Sequence, residues 1–101
     1  MCGIAGRVNR ARERAVDPGR LAEAIHRMAH RGPDGEGLYF HENAGLGHRR
    51  LSIIDLATGG QPLCNEDRTL WVTFNGEIYN HALLREELVA LGHRFATRSD
   101  T

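Results

Sequence analysis

The chain has 101 residues, enough for one small domain that buries roughly 65% of its unfolded surface. Thirteen basic and thirteen acidic residues cancel, so no net field points to nucleic acid or an anionic membrane as a partner. Every basic residue is arginine, which excludes a GxxxxGK[ST] phosphate loop, because that loop needs its lysine on the phosphates.

No apolar run approaches the ~18 residues of a membrane-spanning helix. The first residues lack the charged and then apolar stretches of a signal peptide. Cys2 and Cys64 have no CxxC partner, so neither a disulfide framework nor a zinc site is expected, and a reducing cytoplasm fits best.

In chain order, "CGIAGRVN" reads as a short buried strand over 2–9, followed by an arginine-rich surface turn. "DPGRLAEAIHRMAHRG" reads as a helix capped by Asp17, entered through Pro18 and stopped at Gly32. Its Leu21, Ala24, Ile25, Met28 and Ala29 recur at helical spacing and form one apolar face. "RGPDGEG" is a turn cluster. "GLYFHE" and "AGLGHRRLSIIDL" form a hairpin through "ENAG". "ATGGQPLCNEDR" reads as a loop. "TLWVTFNGEIY" reads as a strong strand ending at Asn75-Gly76, with Leu70, Val72 and Phe74 alternating with Trp71 and Thr73. "NHALLREELVALG" is a second amphipathic helix, capped by Asn80 and closed by Gly92. "HRFATRSDT" begins a last strand, and its abrupt end suggests a piece of a longer protein. The order predicts an α+β fold, a sheet with helices packed on it.

Several residues carry chemistry. Cys2 directly follows the initiator methionine. If Met1 is removed, one residue holds both a thiol and an α-amine, and an α-amine titrates near ~8. Such an amine can take the proton of its own side-chain nucleophile. The plain alternative is a small buried cysteine at the start of a strand. Asn75-Gly76 after a β run marks a turn. It also offers a side-chain amide and a backbone N–H, the two donors of an oxyanion hole. Arg49 and Arg50 interrupt an apolar strand. One of them, and by alternation only one, can clamp a carboxylate on a given face; both can equally be solvated on an edge. Glu77 and Asp100, near strand ends, can hold an ammonium or be ordinary surface acids. His26 and His30 stand at i, i+4 without a third metal ligand or an HExxH glutamate, and they read as helix-surface residues. Cys64 reads as a structural or loop thiol.

Six stretches occur in a telling order: "MCGIAG", "HRGPDGEG", "GHRRLSIIDL", "GGQP", "FNGEIYNH" and "RSDT". Together they resemble the N-terminal glutaminase domain of glutamine-hydrolysing asparagine synthetases, among the class II glutamine amidotransferases. The resemblance runs from Met1 to Thr101, with only "RVNRARERAVD" uninformative. It implies an N-terminal-nucleophile hydrolase fold, a four-layer αββα sandwich of which 1–101 would supply only the first part, with a C-terminal synthetase domain absent from this chain. It implies that Cys2 is the nucleophile and that Asn75 and Gly76 form the oxyanion hole. Arg50 would bind the glutamine α-carboxylate with backbone help from Leu51, Ile53 and Ile54, while Glu77 and Asp100 would hold the α-ammonium. No cofactor is implied for this stretch; ATP and Mg2+ would serve the absent domain, where aspartate would be amidated. Glutamine, aspartate and ATP are then the implied small-molecule partners, no nucleic acid or membrane is implied, and a homodimer stays open. Related enzymes amidate peptides or polysaccharide precursors, so another acceptor remains an alternative reading, as does an inactive glutamine-binding domain.

Overall fold

A computed structural model describes residues 1–52 and 59–101. Its framework is a three-stranded antiparallel sheet in the order β1-β3-β2, formed by β1 (Gly3–Val8), β2 (Gly35–His41) and β3 (Ala44–Arg50). The hairpin between β2 and β3 turns through Glu42 and Asn43, with His41 opposite Ala44. β1 lies on the far side of β3, with Gly3 opposite Arg49 and Ile4 opposite His48. The expected strand over 2–9 is therefore present, but it is an edge strand and not a buried one: Ile4 is 45% and Val8 73% exposed.

Helix α1 (Pro18–Arg27) covers one face of this sheet. The Asp17 side chain accepts the Gly19 N–H at 2.9 Å, and Pro18 enters the first turn, as N-cap and N1 chemistry dictates. The helix stops before Gly32. Met28 and Ala29 donate to the carbonyls three residues back, which tightens the chain into turns over 28–31. Leu21 and Ile25 point into the sheet and are 4% and 1% exposed, whereas Ala24, expected on the same face, is exposed. They meet β3 where it carries Gly45 and Gly47; a Cβ at Gly47 would overlap Ile25. The helix therefore rides close on the odd-numbered residues of β3.

The even-numbered face of β3 receives a second, two-stranded sheet, β4 (Leu63–Cys64) paired with β5 (Trp71–Val72). Trp71 stacks on Tyr39 of β2 with ring centroids 3.7 Å apart. Gly37 of β2 admits the Gln61 carbonyl, which a Cβ there would overlap. Two expectations change here. The loop over 57–68 contains β4, a strand too short to show a period. The strand expected over 69–79 keeps only two ladder residues, and it turns Trp71 toward the first sheet while Leu70 and Val72 are 70% and 46% exposed. The turn linking β4 and β5 is held by Asn65, whose Oδ1 accepts the Leu70 N–H at 2.9 Å.

Helix α2 (His81–Ala90) follows. Asn80 precedes it but its side chain makes no capping bond. Gly92, at φ +97°, closes it as expected: the His93 N–H reaches the Leu88 carbonyl and the Gly92 N–H the Val89 carbonyl, the paired bonds of a Schellman cap. None of its residues is buried. The last expected strand, over 93–101, does not form. Its Ser99 and Thr101 N–H groups are taken by the side chains of Thr97 and Ser99, local bonds that compete with a ladder. Arg85 anchors this segment, stacking over Phe95 and donating to the Thr97 carbonyl. The strand expected through 44–56 ends at Arg50, and the remainder of that stretch reaches into 53–58, outside the described residues. Among the described residues no helix is long and apolar enough to cross a membrane.

The α+β class thus holds, with α1, the three-stranded sheet and the two-stranded sheet in successive layers, and α2 following them in the chain. The helix meets the sheet most closely where Ile25 packs against Gly47. Ile25→Ala should lower the unfolding free energy by about 2–5 kcal/mol, read by denaturant titration of the full gene product.

Candidate functional site

Cys2 stands one residue before β1. Continuing the Gly3–Arg49 pairing by one step sets Cys2 beside Arg50, on the face away from α1. The Leu51 N–H donates to Cys2 Sγ at 3.3 Å, and the sulfur also lies 3.7 Å from the Leu51 carbonyl oxygen. The main chain of Leu51 thereby fixes the sulfur in the lining of a cavity of about 390 Å³, inside the ~300–1,000 Å³ range of small-molecule sites.

The cavity gathers residues that are far apart in sequence. Cys2, Arg50, Leu51, Asn75, Gly76, Glu77 and Asp100 all line it. Ile53 and Ile54, also expected at the site, lie outside the described residues. The two neighbouring arginines separate as alternation requires. Arg49 turns to the α1 side, where its Nε donates to the Gly32 carbonyl at 3.0 Å and its guanidinium pairs with Glu36 at 2.6 Å. Arg50 turns into the cavity. Asn75 and Gly76 follow β5 where the chain has left the ladder. Asp100 faces them from the other rim, its Oδ2 accepting the Ile78 N–H at 2.8 Å. His26 and His30 remain on the exposed surface of α1 and the turns after it, Cys64 is exposed on β4, and among the described residues no three His, Cys, Asp or Glu side chains stand together as a metal site.

Gln61 and His48 are among the other lining residues, and the sequence did not single them out for chemistry. Gln61 is taken up below. His48 sits two residues before Arg50 on the same face of β3 and is 1% exposed. Its Nδ1 lies 2.9 Å from Thr73 Oγ1, so it ties β3 to the segment leading into Asn75, while its Nε2 is buried with no hydrogen-bond partner among the described residues. Burial, reinforced by the charge of Arg50, holds the His48 pKa below its ordinary value, so near neutral pH the folded protein favours the neutral ring. A histidine within "GHRRLSIID" is a weak sequence signal, because only the fold reveals that its face is closed over.

That neutrality has a measurable sign. With its pKa lowered on folding, His48 takes up a proton less readily in the folded state than in the unfolded chain. Stability therefore rises with pH below the ordinary histidine value of ~6.5 and is lost as pH falls through the window beneath it. The melting temperature should drop on acidification from pH ~6.5, and His48→Gln should flatten that slope; an unchanged slope in the variant would contradict the assignment.

Residues 1–101 match the glutamine amidotransferase domain family. The chain is 50% identical to asparagine synthetase (glutamine-hydrolyzing) 1 of Bacillus subtilis, an alignment covering 100% of this chain and 16% of that protein. It is 48% identical to asparagine synthetase (glutamine-hydrolyzing) 2 of Arabidopsis thaliana, covering 99% of this chain and 17% of that protein. It is also 48% identical to a probable asparagine synthetase (glutamine-hydrolyzing) of Dictyostelium discoideum, covering 99% and 18%. The chain thus spans less than a fifth of the length of the curated relatives it matches.

Proposed function

The chain belongs to the glutamine amidotransferase domain family, and from that premise we propose that it is the glutaminase part of a glutamine-hydrolysing asparagine synthetase, working in the cytoplasm. One observation carries the reading: a single cavity joins a thiol at residue 2 to a guanidinium, a pair of amide donors and two carboxylates. Free glutamine is a zwitterion with a side-chain amide, and this set answers each part of it. Arg50 takes the α-carboxylate through two parallel N–H bonds. Glu77 and the Oδ1 of Asp100 take the α-ammonium. The side-chain amide is left facing Cys2.

In the reaction, Met1 has been removed and the Cys2 α-amine receives the Sγ–H proton. The sulfur forms a bond to the amide carbon, and the carbonyl π pair moves onto oxygen. Asn75 Nδ2 and the Gly76 N–H donate to that oxyanion. The proton passes to the departing nitrogen, the C–N bond breaks, and ammonia leaves a γ-glutamyl thioester on Cys2. Water then attacks the thioester and releases glutamate. Each oxyanion donor acts mainly in the transition state, so its loss falls on turnover more than on binding.

Amidation of aspartate would draw on ATP and Mg2+. The donors of this cavity do not suit that pair: the cation is one guanidinium, and no metal-ligand cluster stands among the described residues. No step above passes through either, and both are assigned to chain outside residues 1–101. The remaining layer of an αββα sandwich is assigned there as well. The relatives' names favour aspartate over another acceptor, and the intact nucleophile and clamp favour an active enzyme over a silent binding domain.

The decisive experiment compares nitrogen sources in the full gene product. Cys2→Ala should abolish glutamine-dependent asparagine formation while ammonium-dependent formation persists; equal glutamine use by variant and wild type would reject Cys2 as the nucleophile. The two arginines supply a second check. Arg50→Ala should reduce kcat/KM for glutamine through a rise in KM, an effect on the order of 2–4 kcal/mol for a lost bidentate charged contact. Arg49→Ala, which cuts the tie to Gly32 and Glu36, should lower the melting temperature and leave KM nearly unchanged.

A further inference from the structure

We propose that Gln61 is a positioning residue for glutamine hydrolysis, locking the oxyanion donors and the ammonium clamp into one rigid unit. The inference rests on the function proposed above. Its basis is a ring of hydrogen bonds. Gln61 Oε1 accepts the Phe74 N–H at 2.6 Å, and Gln61 Nε2 donates to Thr101 Oγ1 at 3.2 Å. Phe74 immediately precedes Asn75, and Thr101 immediately follows Asp100. Asp100 Oδ2 in turn accepts the Ile78 N–H at 2.8 Å. The ring runs from Gln61 through Phe74, along the main chain to Ile78, across to Asp100 and Thr101, and back to Gln61. Asn75, Gly76 and Glu77 lie on its main-chain arc.

The physical need for such a device follows from where β5 stops. The β4–β5 ladder ends with Leu63 opposite Val72, so beyond it the main chain has no strand partner among the described residues. A backbone N–H left without a partner in a partly buried place is costly. A strand partner would satisfy it, but would also consume the Gly76 N–H that the oxyanion needs. The Gln61 side chain resolves this by taking the Phe74 N–H alone. Gln61 is itself anchored, because its carbonyl is seated on Gly37 of β2. Oxyanion donors act only when aimed within a few tenths of an ångström, and Gln61 ties that aim to the first sheet, whose strand β3 carries Arg50. The side chain is held at both ends, so it supports the site and touches no reacting atom.

The test uses glutamine hydrolysis kinetics and melting temperature of the full gene product for Gln61→Met, Gln61→Glu, Thr101→Val, Asn75→Ala and the double variant Gln61→Met/Asn75→Ala, with Cys2→Ala as reference. Gln61→Met keeps the length and removes both bonds; it should lower kcat about 10–100-fold with a smaller change in KM. Gln61→Glu retains the acceptor for Phe74 and can accept from the Thr101 hydroxyl, so it should recover most of the loss. In the Asn75→Ala background, Gln61→Met should cost less than threefold, because a residue that acts through Asn75 has little left to align. If Gln61→Met does not fold, Thr101→Val carries the test with a loss of about 3–10-fold in kcat. Wild-type kcat in Gln61→Met, or in Thr101→Val where Gln61→Met does not fold, or fully multiplicative losses in the double variant, would overturn the positioning role while leaving Cys2 chemistry intact. Full glutaminase activity in Cys2→Ala would instead overturn the underlying reaction, and the positioning role with it.

Discussion

The register of β1 against β3 is the constraint on which the site depends. Gly3 opposite Arg49 is what brings Cys2 beside Arg50 and within reach of the Leu51 amide. Side chains alternate with a period of two, so a slip by one residue would exchange the faces of Arg49 and Arg50. The far side of the sheet prevents that slip. Gly45 and Gly47 must face α1, because only glycine admits Leu21 and Ile25 at that distance. Close packing of a helix on one face thus decides which arginine meets the cavity on the other, and Arg49 adds to the lock by reaching the Gly32 carbonyl.

Around the cavity, main-chain N–H groups that have left the ladders are taken by side chains. Ser52 donates to Asp34, Phe74 to Gln61 and Ile78 to Asp100. A site that uses backbone amides as ligand donors cannot be built inside a sheet, where those amides are already bonded. It has to be built just past the strand ends, and the chain there needs fixed acceptors to stay ordered. Asp100 is one of these acceptors through Oδ2, and the proposed ammonium contact falls to its other oxygen.

The elements that could be read from the sequence are those with a local cause. Asp17-Pro18 announced the start of α1, Gly92 the end of α2, and the turn after His41 the hairpin of the main sheet. The cavity was legible because a few sharp patterns, a cysteine at residue 2, an Arg-Arg pair and Asn75-Gly76, each imply a specific chemistry. What escaped depended on distant partners. β4 is two residues long and shows no periodicity of its own. β5 loses its ladder after Val72, although the alternation continues to Phe74. The stretch over 93–101 has strand-like composition, yet Thr97 and Ser99 supply its hydrogen bonds locally. His48 and Gln61 owe their places to Thr73, Phe74 and Thr101, residues 13 to 40 positions away in sequence, and no local pattern encodes such pairings.

Charge in the cavity bears on what the proposed clamp would hold. Among the described residues lining it, Arg50 and the amino terminus contribute two positive charges and Glu77 and Asp100 two negative ones, so the signs balance. Burial disfavours the charged form of His48, which keeps the ring from tipping that balance near neutral pH. A zwitterion carries both signs and no net charge, so under the proposed clamp glutamine would match the cavity without leaving either sign unpaired. Protonating His48 would add a buried charge beside Arg50, so the closed environment that disfavours the imidazolium protects the proposed clamp as well as the fold.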